Sequence, residues 1–139
     1  MISRSPVIVD TGFLVALVDR RDRYHSWAKQ QLSDVSTPLL TCEAVITETC
    51  FLLQRVSGGE AAIFGFLNRS LIQIDFQLSQ HSNGIDQLMQ QYQNVPMSVA
   101  DACLVKMSEL IADSVVFTLD SDFLIYRRNR NELIPIVMP

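Results

Sequence analysis

Cysteine, glycine, proline and lysine are all scarce in this 139-residue chain. The three cysteines, Cys42, Cys50 and Cys103, have no CxxC spacing and sit among apolar neighbours. They read as reduced thiols rather than a disulfide framework, and with only two His they offer no zinc spacing. Five Gly and five Pro exclude a collagen-like fibre and a flexible linker. No stretch reaches the ~20 apolar residues of a membrane span. The apolar run before Asp10 is too short for the centre of a signal peptide, so the expected location is cytoplasmic. Excess charge is also missing: 11 Lys and Arg against 15 Asp and Glu leave a net charge of −4. That is not the balance of a protein built only to hold phosphates.

What is present is apolar. A hydrophobic share of 48% over 139 residues suits one domain, spanning 1–139, with a real core. Pro6–Val9 is a short β-branched run, followed by capping residues Asp10-Thr11-Gly12 and a helix carrying Phe13, Leu14, Ala16 and Leu17. A second helix follows the charged turn 19–23. Leu39–Thr41 predicts a strand and Glu43 to about Val56 a helix, stopped by Ser57-Gly58-Gly59. Further helices are expected around Ile63–Leu67, Leu78–Tyr92 and Ser98 to Ile111, and a short one over Asp120–Tyr126. Strands are expected at Leu71–Phe76, Val115–Thr118 and Leu133–Val137. Apolar strands alternating with helices predict an α/β fold: a central, mostly parallel sheet of about five short strands between helical layers. Ligands in such sheets sit beyond the carboxyl ends of the strands.

Four acids draw attention on that basis. Asp10 follows the first strand, and Asp120 follows the fourth, with Asp122 close behind. Asp101 lies between two alanines. Glu48 stands mid-helix among apolar residues, with no cation between Thr37 and Gln54 to pair with it. Each Asp has an ordinary explanation as a helix cap, and Ser98-x-x-Asp101 has the form of a capping box. Glu48 does not, because burying a lone acid is expensive. Convergence on a divalent cation would account for all four, since like charges otherwise repel. Oxygen-only donors suit Mg²⁺ or Mn²⁺.

Val7-Ile8-Val9-Asp10-Thr11, Glu48, Ala100-Asp101-Ala102 and Thr118-Leu119-Asp120-Ser121-Asp122-Phe123 together resemble the PIN-domain ribonucleases. The group most resembled is the VapC-like toxins of toxin–antitoxin pairs. The resemblance implies a three-layer α/β/α sandwich with an acidic pocket at the carboxyl edge of the sheet. It implies RNA cleavage using Mg²⁺ or Mn²⁺. Asp10, Glu48 and Asp101 match the central acids of the family, and Asp120 the more variable fourth, whose role Asp122 could share. Thr118 matches the hydroxyl residue that supports the first aspartate, and Thr11 is a second candidate for that task.

These expectations form one mechanism. Asp10, Asp101 and Asp120 hold the ion, Glu48 holds a water or acts as general base, and the products carry a 5′-phosphate and a 3′-hydroxyl. Arg20, Arg21 and Arg23, and Arg127, Arg128 and Arg130, form two runs that could meet RNA phosphates, though a solvated charge run is their plainer explanation. A small antitoxin protein and a second copy of the chain are the expected protein partners. Two alternatives stand beside the nuclease: a non-catalytic RNA- or protein-binding module with the same fold, and an aspartate-based phosphatase. The phosphatase requires a lysine at its pocket, and Lys29 and Lys106 both fall inside helices.

Overall fold

The computed structural model describes residues 5–139. β1 (Val7–Val9) is buried along its whole length, as its β-branched run requires of a central parallel strand. α1 (Thr11–Val18) and α2 (His25–Asp34) follow. Next come β2 (Leu39–Thr41), α3 (Glu43–Leu52) and α4 (Gly59–Asn68). β3 (Ile72–Ile74), α5 (Ser82–Gln91) and α6 (Val99–Leu110) complete the middle of the chain. β4 (Val115–Phe117) leads to a two-residue hairpin, β5 (Arg127–Arg128) and β6 (Glu132–Leu133), and then to β7 (Ile136–Val137).

The main sheet has the order β3-β2-β1-β4-β7, with every neighbouring pair parallel. The chain winds outward in one direction through β2 and β3, then returns to the other side of β1 through β4. The β1/β4 boundary is therefore the switch point where such sheets open a crevice at their carboxyl edge. Helices cover the sheet. Phe13 and Phe117 meet edge to face at 5.5 Å between ring centroids, fastening α1 onto the centre. Trp27 of α2 also meets Phe13 edge to face, at 5.9 Å, so the lone tryptophan belongs to the packing. His25 is tied down as well, its Nδ1 donating to the Ala16 carbonyl at 2.7 Å.

Four expected elements differ, the first being the helix over Leu78–Tyr92, which breaks at His81 into a 3-10 turn (Leu78–Gln80) and α5. The helix from Glu43 ends at Leu52, not near Val56. Leu53 turns fully into the core, and consecutive tight turns (Val56 N–H to Leu53 O, 3.0 Å; Gly59 N–H to Val56 O, 2.9 Å) replace the last helical turn. Gly58 takes the left-handed φ of 71° that this reversal needs. The expected helix over 120–126 is a 3-10 turn at Ser121–Leu124. The expected closing strand is split, because Leu133 pairs with Arg127 in the hairpin and only Ile136–Val137 joins β4. Among the described residues, no helix is long and apolar enough to cross a membrane. All three cysteines are free thiols, Cys42 and Cys103 buried and Cys50 half-buried.

Candidate active site

A cleft of about 480 Å³ opens at the carboxyl edge of the sheet. Asp10, Thr11, Glu48, Asp101, Asp120 and Ser121 supply its polar wall, with Gly12, Val45, Leu52, Ala100, Leu104 and Leu119 between them. Four acids from four separate elements thus face one space, and among the described residues no basic side chain lines it.

The strand side of the cleft is held by a relay of hydrogen bonds. Asp10 ends β1, its N–H donating to the Phe117 carbonyl of β4 at 3.2 Å. Its Oδ1 accepts from the Phe13 N–H at 2.8 Å, so Asp10 is also the N-cap of α1. Its Oδ2 accepts a short hydrogen bond from the Thr118 hydroxyl. Thr118 Oγ1 in turn accepts from the Asp120 N–H at 2.9 Å, and Asp120 Oδ1 accepts from the Asp122 N–H at 2.9 Å. β4 therefore hands its terminal acids to the end of β1 through one buried threonine. Burial pushes the Asp10 carboxyl up to about 6, and the Asp120 charge adds to the rise. The bonds from Thr118 and Phe13 oppose it.

Asp101 enters from α6. Ser98 and Asp101 form a complete capping box: the Asp101 N–H donates to Ser98 Oγ at 3.0 Å, and the Ser98 N–H to Asp101 Oδ2 at 3.2 Å. The Tyr126 hydroxyl reaches the same Oδ2 at 3.3 Å. Burial lifts the Asp101 carboxyl above its ordinary range, and the Asp120 charge works in the same direction. Burial also raises the Tyr126 phenol, with the charges of Asp101, Asp122 and Asp120 contributing, so Tyr126 stays a donor.

Glu48 departs from expectation. It lines the cleft, but its side chain is exposed, so the cost of burying a lone acid does not arise there. On α3, residue 48 is exposed at the cleft rim while Val45 and Thr49 are buried. Thr118 carries the support of Asp10. Thr11 is buried beside it, with a hydroxyl that has no hydrogen-bond partner among the described residues. Asp122 lies outside the cleft wall; its backbone N–H donates to the capping side chain of Asp120, and its charge reaches Tyr126.

The arginines separate. Arg127 Nη1 donates to the carbonyls of Leu124, Ile125 and Tyr126 at 2.8–3.0 Å. Arg128 donates to the Ser108 carbonyl at 2.9 Å and pairs with Glu132 at 3.1 Å. Arg128 thus braces the hairpin against α6, while Arg127 closes the turn that precedes it. Arg23 lies over the Tyr24 ring at 5.2 Å, and Arg130 is exposed in the hairpin turn. Arg20 and Arg21 are exposed and line a different groove, together with Arg55. Sequence reasoning passed over Arg55, which stands alone and belongs to no run. Its one signal is a position two residues before the Ser57-Gly58 turn.

The donor set suits a hard divalent ion in charge and chemistry. The polar side-chain atoms facing the cleft are oxygens, none is neutralised by a cation among the described residues, and Asp120 raises the proton affinity of both Asp10 and Asp101. Among the described residues, however, no three His, Cys, Asp or Glu side chains stand close enough together to hold an ion as they are placed. The acids ring the cleft and do not form a closed ligand shell.

The PIN domain family model matches residues 7–129, and the chain belongs to that family. Its fold is similar to the crystal structure of VapC20 from Mycobacterium tuberculosis, a Sarcin-Ricin loop cleaving toxin. The TM-score is 0.71 at 21% sequence identity, covering 84% of this chain and 91% of that one. No curated protein matches this chain.

Proposed function

We propose that this protein is a divalent-metal-dependent ribonuclease that hydrolyses phosphodiester bonds of RNA in its acidic cleft, and that it works as the toxin of a toxin–antitoxin pair. One observation carries the reading: Asp10, Glu48, Asp101 and Asp120 line a single cleft at the sheet's switch point, with no basic side chain of the described residues among them. Membership of the PIN family supports it. The likeness to VapC20 supports the toxin role, with a small antitoxin as partner and the cytoplasm as the place of action.

Asp10, Asp101 and Asp120 would hold the ion. When bound, it would acidify a water and offset charge on the phosphoryl oxygens. The protein's own contribution is placement. Thr118 keeps one Asp10 oxygen fixed, and the capping box fixes the orientation of Asp101. Glu48, unburied and free to turn, would accept the proton of the attacking water.

The binding-module alternative draws on the open spacing of the acids. One assay separates the two readings. Labelled RNA is incubated with the protein and Mn²⁺, with and without chelator, beside Asp10→Asn and Asp101→Asn. Metal-dependent cutting that both substitutions abolish is expected. Binding without cutting would establish the module, and release of phosphate from a small phosphomonoester would establish a phosphatase.

A further inference from the structure

The seam between α1 and α3 has two ends of opposite charge. These helices pack side by side, and both line the acidic cleft, α1 through Thr11 and Gly12, α3 through Val45, Glu48 and Leu52. At the other end of α1, the turn after Val18 meets the turn after α3 around a groove of about 690 Å³. Arg20 and Arg21 enter this groove from one turn and Arg55 from the other. An adjoining hollow of about 430 Å³ shares Val18, Arg20 and Ala62 with it and adds Lys29.

All four cations are exposed. None makes an ion pair or a side-chain hydrogen bond with any described residue. Among the described residues Asp19 is the one acid in either hollow, and its Oδ1 is engaged by the Arg21 N–H at 3.0 Å. Arg127 and Arg128, by contrast, are consumed by backbone carbonyls and Glu132. In a chain of net charge −4, four unpaired cations on one track form a local field suited to anions.

We infer that this track is a second binding site for RNA, taking backbone phosphates of the strand whose scissile bond lies in the acidic cleft. The inference rests on the ribonuclease reading for the identity of the strand. Its new content is the groove, its residues and its position. The eight residues of α1 span about 12 Å. At about 3.4 Å per nucleotide of stacked strand, that is the reach of a few phosphates. A strand laid along the seam would place one phosphate at the acids and later ones on Arg20, Arg21 and Arg55, whose guanidinium groups suit phosphate oxygens. Acids and arginines then divide the work: one end performs the chemistry and the other supplies the affinity that a net-negative protein otherwise lacks.

The test measures binding and cutting separately. Fluorescence anisotropy with a labelled hairpin RNA in chelator compares the wild-type chain, Arg20→Ala/Arg55→Ala, and Arg69→Ala, which removes a cation outside the groove. The double variant is expected to bind about tenfold more weakly, and the slope of log K against log salt should fall by about 0.7–0.9 for each phosphate no longer neutralised. Arg69→Ala should keep the wild-type slope. With Mn²⁺, the preference of the double variant for the hairpin over a dinucleotide should drop by the same factor. If the chain cuts RNA but neither slope nor preference moves in the double variant, the groove is not an RNA site and the nuclease reading stands. If the slope falls as expected in a chain that cuts no RNA, the groove stands and the nuclease reading fails. A double variant that binds RNA normally but loses a polyglutamate peptide would show a protein site and overturn the inference.

Discussion

The two walls of the cleft are built on different principles. On the strand wall, Asp10 is buried, accepts hydrogen bonds at both oxygens, and is joined through Thr118 to Asp120. On the α3 wall, Glu48 is exposed and has no such anchor among the described residues. Strand ends at a switch point are held by the sheet on either side, so their carboxylates are fixed before any ligand arrives. A helix rim presents its side chain to water and leaves it rotamer freedom. The pinned acid suits ion binding, which rewards fixed geometry. The free one suits proton transfer, where the group must follow a moving atom. Asp101 falls between them, held by its cap and by Tyr126 yet only partly buried.

Substitutions can break this contrast. The largest effect is expected at Asp10. Asp10→Asn should reduce metal-dependent RNA cleavage by more than the roughly 100-fold that loss of a supporting group costs, measured as the initial rate with Mn²⁺. Thr118→Val is next. It removes the donor to Asp10 and the acceptor for the Asp120 N–H, so cleavage should fall about 10–100-fold, and the Asp10 carboxyl should titrate higher still. A rate within twofold of wild type would show that the relay holds nothing that matters.

Proton linkage tests the pinned wall without any substrate. The Asp10 carboxyl titrates at about 6 in the fold against 3.8 ordinarily. The folded state therefore binds more protons than the unfolded state between those values, and metal-free stability should rise as pH falls from 7 to 4. The full gain is about 3 kcal/mol from this group, and the upward shift of Asp101 adds to it. Urea melts in chelator at a series of pH values should show the rise, and Asp10→Asn should flatten it. Stability that fell over the same window would contradict the burial of Asp10 as an anion.

Smaller effects probe the other acids. Tyr126→Phe removes the hydroxyl shared by Asp101 and the Pro96 carbonyl and should cost about 0.5–1.5 kcal/mol by urea melt. Glu48→Gln should change metal-free stability by no more than about 0.5 kcal/mol, as for an ordinary exposed position, while cleavage drops. A sharply lower melting point in that variant would make Glu48 structural and erase the difference between the walls.

Much of this arrangement was legible in the residues. The β-branched runs at 7–9 and 115–117 and the capping residues after them placed Asp10 and Asp120 at strand ends. The cap explanation and the site explanation of those aspartates were not rivals. Asp10 and Asp120 each cap a helix or turn and also face the cleft, because a helix or turn that starts at a strand's carboxyl end starts at the crevice; Asp101 does both from the capping box of α6, which follows α5 rather than a strand. The burial expected of Glu48 was not met. Apolar neighbours in sequence say which residues could be buried, but the packing of α3 against α1, α4 and α6 selects which are.

By itself the sequence determined the alternation of strands and helices, the parallel sheet, and the position of three aspartates at element boundaries. Those follow from hydrophobic period and capping, which act over a few neighbouring residues. Only the tertiary structure decided that Glu48 stays in water, that Arg127 and Arg128 serve the hairpin, and that Arg55 joins Arg20 and Arg21 in one groove. Exposure, pairing and the meeting of distant turns depend on how whole helices pack across the sheet, and no local pattern carries that information.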